Sequence, residues 1–265
     1  MTSTEDAVLL DIQHGIASIR FNRPRNLNAI SPELAESFLQ GCRQIHQDSR
    51  CRAVVISGEG RAFMAGGDLS RFYQDFERAA DTAEAMIAPM NEALSILASL
   101  PMPVLASLHG PVAGAGMSIA LACDLAVAAH DVQFSFGYTQ VGTSPDLGIS
   151  MMLPRIVGLR RAMNIALLED RISADQAMEL GLVNWVVPKE DLAQATDAIL
   201  ARLASGPTIA YGKTKLLMGA AFNRQFESQL TEELSAFRAC ASTDDFIAGV
   251  TAFIEKRSSA RFSGT

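Results

Sequence analysis

Residues 110–124 read GPVAGAGMSIALACD, with three glycines and four alanines in fifteen positions and an aspartate at the close. Side chains this small let a second backbone, a ligand or a reacting atom come closer than larger residues allow. The stretch follows VLASLHG, an apolar strand-like run, and continues without a polar break into helical spacing. The apolar run from Val112 to Ala129 is the longest in the sequence, but Asp124 interrupts it and glycine thins it. That pattern makes a buried core segment, not a membrane span. A chain carrying it needs a strand-to-helix turn packed tightly against another element.

The neighbouring segments set the architecture. AVLLDIQHGIASIRFNRP reads as two strands parted near His14-Gly15 and closed by Pro24. Ser31-Pro32 starts a helix, with serine as N-cap and proline in the first turn, and Leu34, Phe38, Cys42 and Ile45 share one face. AVVIS is a short buried strand followed by the loop GEGRAFMAGGDLS, after which helical spacing runs from about Ser70 to Leu100. DLAVAA and VQFSF read as further strands before the loop GYTQVGTSPDLGIS. From Arg160 onward helices dominate: Ser173 and Gln176 have capping-box spacing, VNWVV is one more strand, and helical stretches fill 190–205, 208–222 and 225–257. A strand, strand, helix rhythm through the first 150 residues predicts stacked ββα turns. Periodicity alone leaves a doubly wound sheet equally open.

Composition narrows the function classes. A chain of 265 residues with 49% apolar and 19% charged residues is globular. A net charge of −7 with no basic tract argues against a nucleic-acid partner. The four cysteines form no CxxC pair, and MTSTEDA lacks the basic and apolar regions of a secretion signal, so a cytoplasmic protein with reduced thiols and no membrane association is expected.

The glycines then need a purpose. Gly114-Ala115-Gly116 begins a dinucleotide fingerprint, but Ile119 stands where its third glycine belongs, and no Gly-Lys-Ser/Thr follows to make a P-loop. Two readings remain. Small residues serve close helix packing, and they also let an oxygen reach the unpaired N–H groups of a helix start. Donors aimed at an oxygen that becomes anionic in a transition state contribute roughly 3–4 kcal/mol each. A second donor then requires a second glycine-rich turn, and RAFMAGGDLS, with Gly66-Gly67 before Asp68, supplies one.

RAFMAGGDLS, HGPVAGAGMSIALACD and DRISADQAMELGLVNWVVP together resemble the enoyl-CoA hydratase/isomerase (crotonase) superfamily. NRPRNLNAIS and TAFIEKR extend the resemblance over nearly the whole chain. It implies an α/β fold, a crotonase-like stacked ββα superhelix, with residues 1–200 forming an acyl-CoA-binding core and 201–265 a C-terminal helical trimerisation region. Homotrimers or hexamers are implied, as are acyl-CoA thioester substrates, with coenzyme A entering as part of the substrate and no other cofactor or metal. The resemblance assigns the oxyanion hole to the amides of Gly67 and Ala115. Its substrate-binding positions are Arg25, Leu27, Ala29, Ala65, Asp68, Leu69, Tyr138, Phe253 and Lys256, the last two reaching in from a neighbouring subunit. Where the family usually carries a cation before Asn-Ala, this chain has Asn26 and Leu27, which leaves Arg25 and Arg23 as substitutes. Asp68 is expected to stabilise a helix N-terminus.

The same resemblance bears on the reaction. Hydratases of the superfamily hold a water between two glutamates, and Ser118 and Tyr138 stand at those positions here. Asp146, eight residues after Tyr138, stands where similar isomerases carry a catalytic acid. The chain therefore sits closer to single-Asp isomerase-like members than to two-glutamate hydratases, with Leu147, Ile149, Met151 and Met152 as a candidate apolar wall for Asp146. Ser-Pro-Asp-Leu-Gly is also a good plain turn. Alternatives are a hydratase, an aromatic acyl-CoA lyase, dehalogenase or hydrolase, and a non-catalytic acyl-CoA-binding protein. None of His14, His46, His109 and His130 falls in the helix where a dehalogenase carries its base.

Overall fold

The computed structural model describes residues 6–169 and 171–265. The segment MTSTE, part of the stretch read above for signal character, and Asp170 of the DRISADQ motif lie outside them. The chain opens with β1 (Val8–Gln13), β2 (Ile16–Phe21), α1 (Pro32–Gln47), β3 (Ala53–Gly58), α2 (Leu69–Gln74) and α3 (Ala79–Ser99). It continues with β4 (Val104–Leu108), β5 (Pro111–Ala113), α4 (Ala115–Ala122), β6 (Leu125–Ala129), β7 (Gln133–Ser135), α5 (Ile149–Val157) and α6 (Leu159–Leu167). β8 (Ile172–Ser173), α7 (Ala174–Glu179), β9 (Trp185–Val187), α8 (Leu192–Ala204), α9 (Thr208–Ala220), α10 (Phe226–Ala241) and α11 (Asp244–Ile254) complete it.

The strands form a six-stranded sheet in the order β1-β2-β3-β4-β6-β9 and a three-stranded sheet in the order β5-β7-β8. β1 and β2 are antiparallel, and β2, β3, β4, β6 and β9 then pair in parallel. Each turn of chain thus adds one strand to the large sheet and a shorter segment to a second ladder. Parallel bridges join Ile30 to Gly67 and Met64 to Val112, and β5 pairs with β7. This is the stacked ββα arrangement, and it decides against the doubly wound alternative.

The central strands are apolar on both faces because both faces are covered. Val54, Ile56, Val104, Ala106 and Ala128 enter the main core with residues of α1, α3 and α4. Ala53, Val55, Leu105 and Val127 face the other way and pack on Leu200 of α8. Ser31 caps α1 through a hydrogen bond from the Leu34 amide, and Ser173 and Gln176 form the expected capping box. The helix expected from Ser70 to Leu100 is instead split. Asp75 adopts extended backbone between α2 and a short 3-10 turn (Phe76–Arg78) and accepts a hydrogen bond from the Arg78 amide. Aspartate competes for local backbone donors in this way, which is why it interrupts helices.

The glycines of the opening segment meet backbone. A Cβ on Gly116 would lie 2.3 Å from the Met64 carbonyl oxygen, so only glycine lets α4 pack on that strand edge. Asp124, which closes the segment, accepts the Val104 amide at 2.8 Å and pairs with Lys215 of α9 at 2.9 Å. Beyond α8, the helices α9, α10 and α11 expose many large apolar side chains, among them Met218, Phe226, Leu234, Phe237, Ile247 and Phe253. Among the described residues no helix is long and apolar enough to cross a membrane.

Because the obstacle at Gly116 is backbone, Gly116→Ala is expected to destabilise the fold by about 1–3 kcal/mol, the usual scale of overpacking. A urea denaturation midpoint unchanged from the parent would contradict this.

Candidate active site

Two loops build the site, and a buried asparagine shapes the first. Asn28 sits in left-handed backbone with its side chain fully buried. Its Nδ2 donates to the carbonyls of Glu59, Ala62 and Phe63 at 2.9, 2.8 and 3.2 Å, while its Oδ1 accepts the Arg23 amide at 2.8 Å. That network ties the turn after β2 to the loop after β3. Neighbouring backbone bonds extend it: the Ala65 amide donates to the Leu27 carbonyl, Ile30 to Gly66, and Asp68 to Ile30. Arg23 donates to the Ala29 carbonyl and pairs with Asp68 at 2.8 Å.

Asp68 occupies the N-cap position of α2 but makes no side-chain cap bond; its carboxylate holds Arg23 and accepts the Ser70 hydroxyl at 2.6 Å. The expected place at a helix N-terminus is met, where a carboxylate is favoured by the helix dipole, but the contacts that hold it are Arg23 and Ser70 and not a cap bond. Burial pushes its carboxyl up, and the hydrogen bonds from Ser70 and Arg23 with the Arg23 charge outweigh burial and hold it below its ordinary value. Arg23 is therefore engaged in structure, whereas Arg25 is exposed and has no partner among the described residues.

The second loop meets the first at Gly114. Gly114 has φ +52, and a Cβ there would lie 3.4 Å from the Gly66 Cα. Its amide donates to the Ser135 carbonyl, and the Ala113 amide donates to Met64. Ala115 is the first residue of α4, where helix N–H groups have no intrahelical acceptor. Among the described residues neither the Ala115 nor the Gly67 amide has an acceptor. Both residues line one cavity of about 850 Å³.

Asp146 lines the same cavity on the opposite loop. Leu147 and Gly148 both have positive φ and turn the chain into α5, with the Ile149 amide donating to the Asp146 carbonyl. The Tyr138 hydroxyl donates to Asp146 Oδ1, and Ser118 Oγ lies 2.8 Å from the same phenol oxygen. Burial pushes the Asp146 carboxyl up, and the Tyr138 hydrogen bond works against that rise. Burial, and then the adjacent Asp146 charge, push the Tyr138 phenol up, so it stays protonated and donates. Among the described residues Asp146 Oδ2 has no partner.

Among the described residues Asp146 is the only charged one on the cavity wall, which is otherwise mainly apolar, with Phe72 of α2 and Met86, Ile87 and Met90 of α3 prominent. Of the residues expected to wall Asp146, Leu147 lines the cavity with it, whereas Ile149, Met151 and Met152 do not line the cavity, and Ile149 and Met152 pack in the core cluster that also holds Leu147. Ala65, Leu69 and Tyr138 line it; Arg25, Leu27, Ala29 and Asp68 do not, the last three building the loop behind it. Phe253, 82% exposed on α11, and Lys256, just beyond that helix, are not brought to this cavity within one chain. No described histidine lines the wall, and His109 bonds the Gly60 carbonyl at 3.1 Å. Among the described residues no cluster of His, Cys, Asp or Glu is suited to a metal ion. Sequence reasoning missed Asn28 and the α3 wall, because contacts between distant segments create both roles.

Comparison with known proteins gives consistent matches along the chain. The sequence model described as Enoyl-CoA hydratase/isomerase matches residues 11–264. The chain is 33% identical over 252 residues to the 1,2-epoxyphenylacetyl-CoA isomerase of Escherichia coli, covering 95% of this chain and 96% of that protein. It is 33% identical over 263 residues to the 4-chlorobenzoyl coenzyme A dehalogenase-2 of an Arthrobacter species, covering 95% and 93%. The crystal structure of an enoyl-CoA hydratase from a Polaromonas species superposes with a TM-score of 0.90 at 29% identity, over 96% of this chain and 99% of that one.

The Arg23–Asp68 pair makes a stability prediction. Asp68→Asn is expected to cost about 1–3 kcal/mol at neutral pH, because it leaves a mostly buried guanidinium under-compensated. Since the folded-state carboxyl lies below its ordinary value, this contribution is complete above the ordinary carboxylate range and is lost as pH falls through the lowered value. Denaturation of parent and variant should therefore converge in acid; a gap that persists unchanged there would contradict the assignment.

Proposed function

The chain belongs to the enoyl-CoA hydratase/isomerase family, and from that premise we propose that it is an acyl-CoA isomerase that moves a carbon–carbon double bond by shuttling one proton through Asp146. One observation carries the reading: among the described residues a single carboxylate is the only charged group on an apolar cavity wall that also presents the amides of Gly67 and Ala115 without acceptors. One carboxylate suffices for an internal proton transfer.

In the proposed reaction a 3-enoyl thioester binds with its carbonyl oxygen at the two amides. Asp146 Oδ2 takes a proton from C2, and the C–H electron pair spreads over the thioester oxygen and the C3–C4 double bond. The amides hold the dienolate oxygen, whose charge is greater than that of the ground-state carbonyl, so they stabilise the intermediate more than the substrate. The Oδ2 proton then passes to C4, the double bond settles between C2 and C3, and Asp146 returns to its starting state. Burial moves the carboxyl upward, which makes Asp146 a stronger base than an exposed carboxylate.

Hydration is less well supported. The positions of the two hydratase glutamates hold Ser118 and Tyr138, which hydrogen-bond each other and Asp146 in place of a water. A dehalogenase would need a base for water, and no described histidine lines the cavity. Coenzyme A would enter as part of the substrate. The exposed apolar faces of α9, α10 and α11 support assembly into a trimer or hexamer, and that assembly would bring Phe253 and Lys256 to a neighbour's site.

Asp146→Asn is expected to lower kcat for a 3-enoyl thioester by about 10²–10⁴-fold, the usual contribution of a general acid–base. Binding of a saturated acyl-CoA should stay within a few fold. Turnover by the variant equal to the parent's, or parent enzyme that hydrates 2-enoyl thioesters and leaves 3-enoyl thioesters untouched, would overturn the reading. Lys256→Ala is expected to raise KM with kcat nearly unchanged, and sedimentation should report a trimer or hexamer. A monomer would remove Phe253 and Lys256 from the site.

A further inference from the structure

The hydrogen bond between Tyr138 and Asp146 has a consequence of its own. Tyr138 follows β7, is 7% exposed, and has its ring held edge-on to Phe136 at 5.2 Å between centroids. Its hydroxyl has two partners, Ser118 Oγ and Asp146 Oδ1. A carboxylate carries no hydrogen, so Tyr138 must donate to Asp146, and the Ser118 hydroxyl must donate to Tyr138. The two oxygens of Asp146 are thereby made different. Oδ1 is engaged inside the protein, and Oδ2 has no partner among the described residues.

We propose that Tyr138 is a positioning residue: by occupying Oδ1 it confines the proton shuttled by Asp146 to Oδ2, so that the proton returns to the substrate carbon and is not lost to water. The proposal rests on the isomerase reading above for its catalytic consequence, but the asymmetry of the carboxylate stands on the geometry. A proton placed on Oδ1 would have to reverse the chain, with Tyr138 then donating to Ser118. Ser118 is fully buried, and its other neighbours are the carbonyl oxygens of Gly114 and Asp146, each at 3.4 Å. The wire therefore ends on backbone carbonyls, which take up no proton, and no route to solvent opens along it. In an apolar site such a fully satisfied chain is also stiff, which keeps Oδ2 aimed at one place.

The electrostatic surroundings leave little else to act on Asp146. From α2 and α3 the wall presents Phe72, Tyr73, Met86, Ile87 and Met90; α4 contributes Ala115, with Ser118 buried behind Tyr138, and among the described residues the 65–69 segment carries no charge on the wall. Tyr73, exposed at the mouth, is the one further titratable group lining the cavity. Tyr138 is thus the group whose removal should change the ionisation of Asp146. Its hydrogen bond favours the charged carboxylate, so its loss should raise the pH at which the carboxyl protonates.

The test compares the parent with Tyr138→Phe, using Ser118→Ala as a second, milder variant in case the first is poorly folded. Titration of the carboxyl carbon of Asp146 by NMR, with Asp146→Asn to assign the signal, is expected to rise by roughly one pH unit in Tyr138→Phe. Ser118→Ala should give a smaller rise of the same sign. For isomerisation run in deuterated water, product from Tyr138→Phe is expected to carry more deuterium at C4 than product from the parent, with kcat lowered and KM little changed. An unmoved carboxyl titration, or equal deuterium content from both enzymes, overturns the assignment. If the parent does not isomerise 3-enoyl thioesters, the isomerase reading fails by itself, and the carboxyl titration still decides whether Tyr138 governs Asp146.

Discussion

The site exists because two backbones touch. Gly116 lets α4 rest on the Met64 carbonyl, and Gly114 in its positive-φ conformation closes on Gly66. Fixing those contacts fixes where the Ala115 amide lies relative to Gly67, since each is one residue from a contact. Of the two purposes weighed for the small-residue segment, packing is met at Gly116 and Gly114, and on the proposed reading the same turn leaves the Ala115 amide open to an oxygen. A side chain at Gly116 would push the helix away and open the donor pair with it. Stability and donor geometry are coupled here, which is the condition for preorganised electrostatics: dipoles held by the fold do not need to reorient when charge develops.

The second constraint is the scarcity of charge. The chain carries a net charge of −7, yet among the described residues one carboxylate alone charges the cavity wall. A carboxylate among Met, Ile and Phe side chains interacts strongly with whatever dipoles remain, because little water screens them. The Tyr138 hydroxyl and the two loop amides are such dipoles. One donor faces Asp146 and two have no acceptor among the described residues, so on the proposed reading the carboxylate and a developing charge on a ligand oxygen are held by separate groups. Two carboxylates at the positions of Ser118 and Tyr138 would have disturbed each other's protonation; two hydroxyls do not.

Much of this architecture was legible in the sequence. Ser31, Ser173 with Gln176, and the apolar strand runs act locally, so their elements formed where local patterns placed them. The candidate positions Gly67, Ala115 and Asp146 are those the crotonase resemblance implies, and the fold gathers them around one cavity. What spacing does not reveal is the partner of a polar side chain. Asn28 serves carbonyls more than thirty residues away, and Arg23 reaches Asp68 across 45 residues. The break at Asp75 is hidden by continuous apolar periodicity on both sides, and the share of α3 in the cavity wall is invisible in the sequence because it comes from a distant segment. The Tyr138–Asp146 bond falls between these cases: the spacing was visible, but the direction of both side chains was set by tertiary packing.

On the proposed reading, binding and catalysis are also divided in space. A coenzyme A handle carries several negative charges, and among the described residues the cavity wall of one chain has no cation to meet them. Cations must then act outside the cavity, at Arg25 and at a neighbour's Lys256. Contacts there persist unchanged from substrate to transition state, so they lower KM without lowering the barrier of the chemical step. The loop amides do the reverse, gaining strength only as the thioester oxygen gains charge. An acidic protein with an almost uncharged cavity is consistent with this division: a cation beside Asp146 would improve binding but would also stabilise the carboxylate and weaken it as a base.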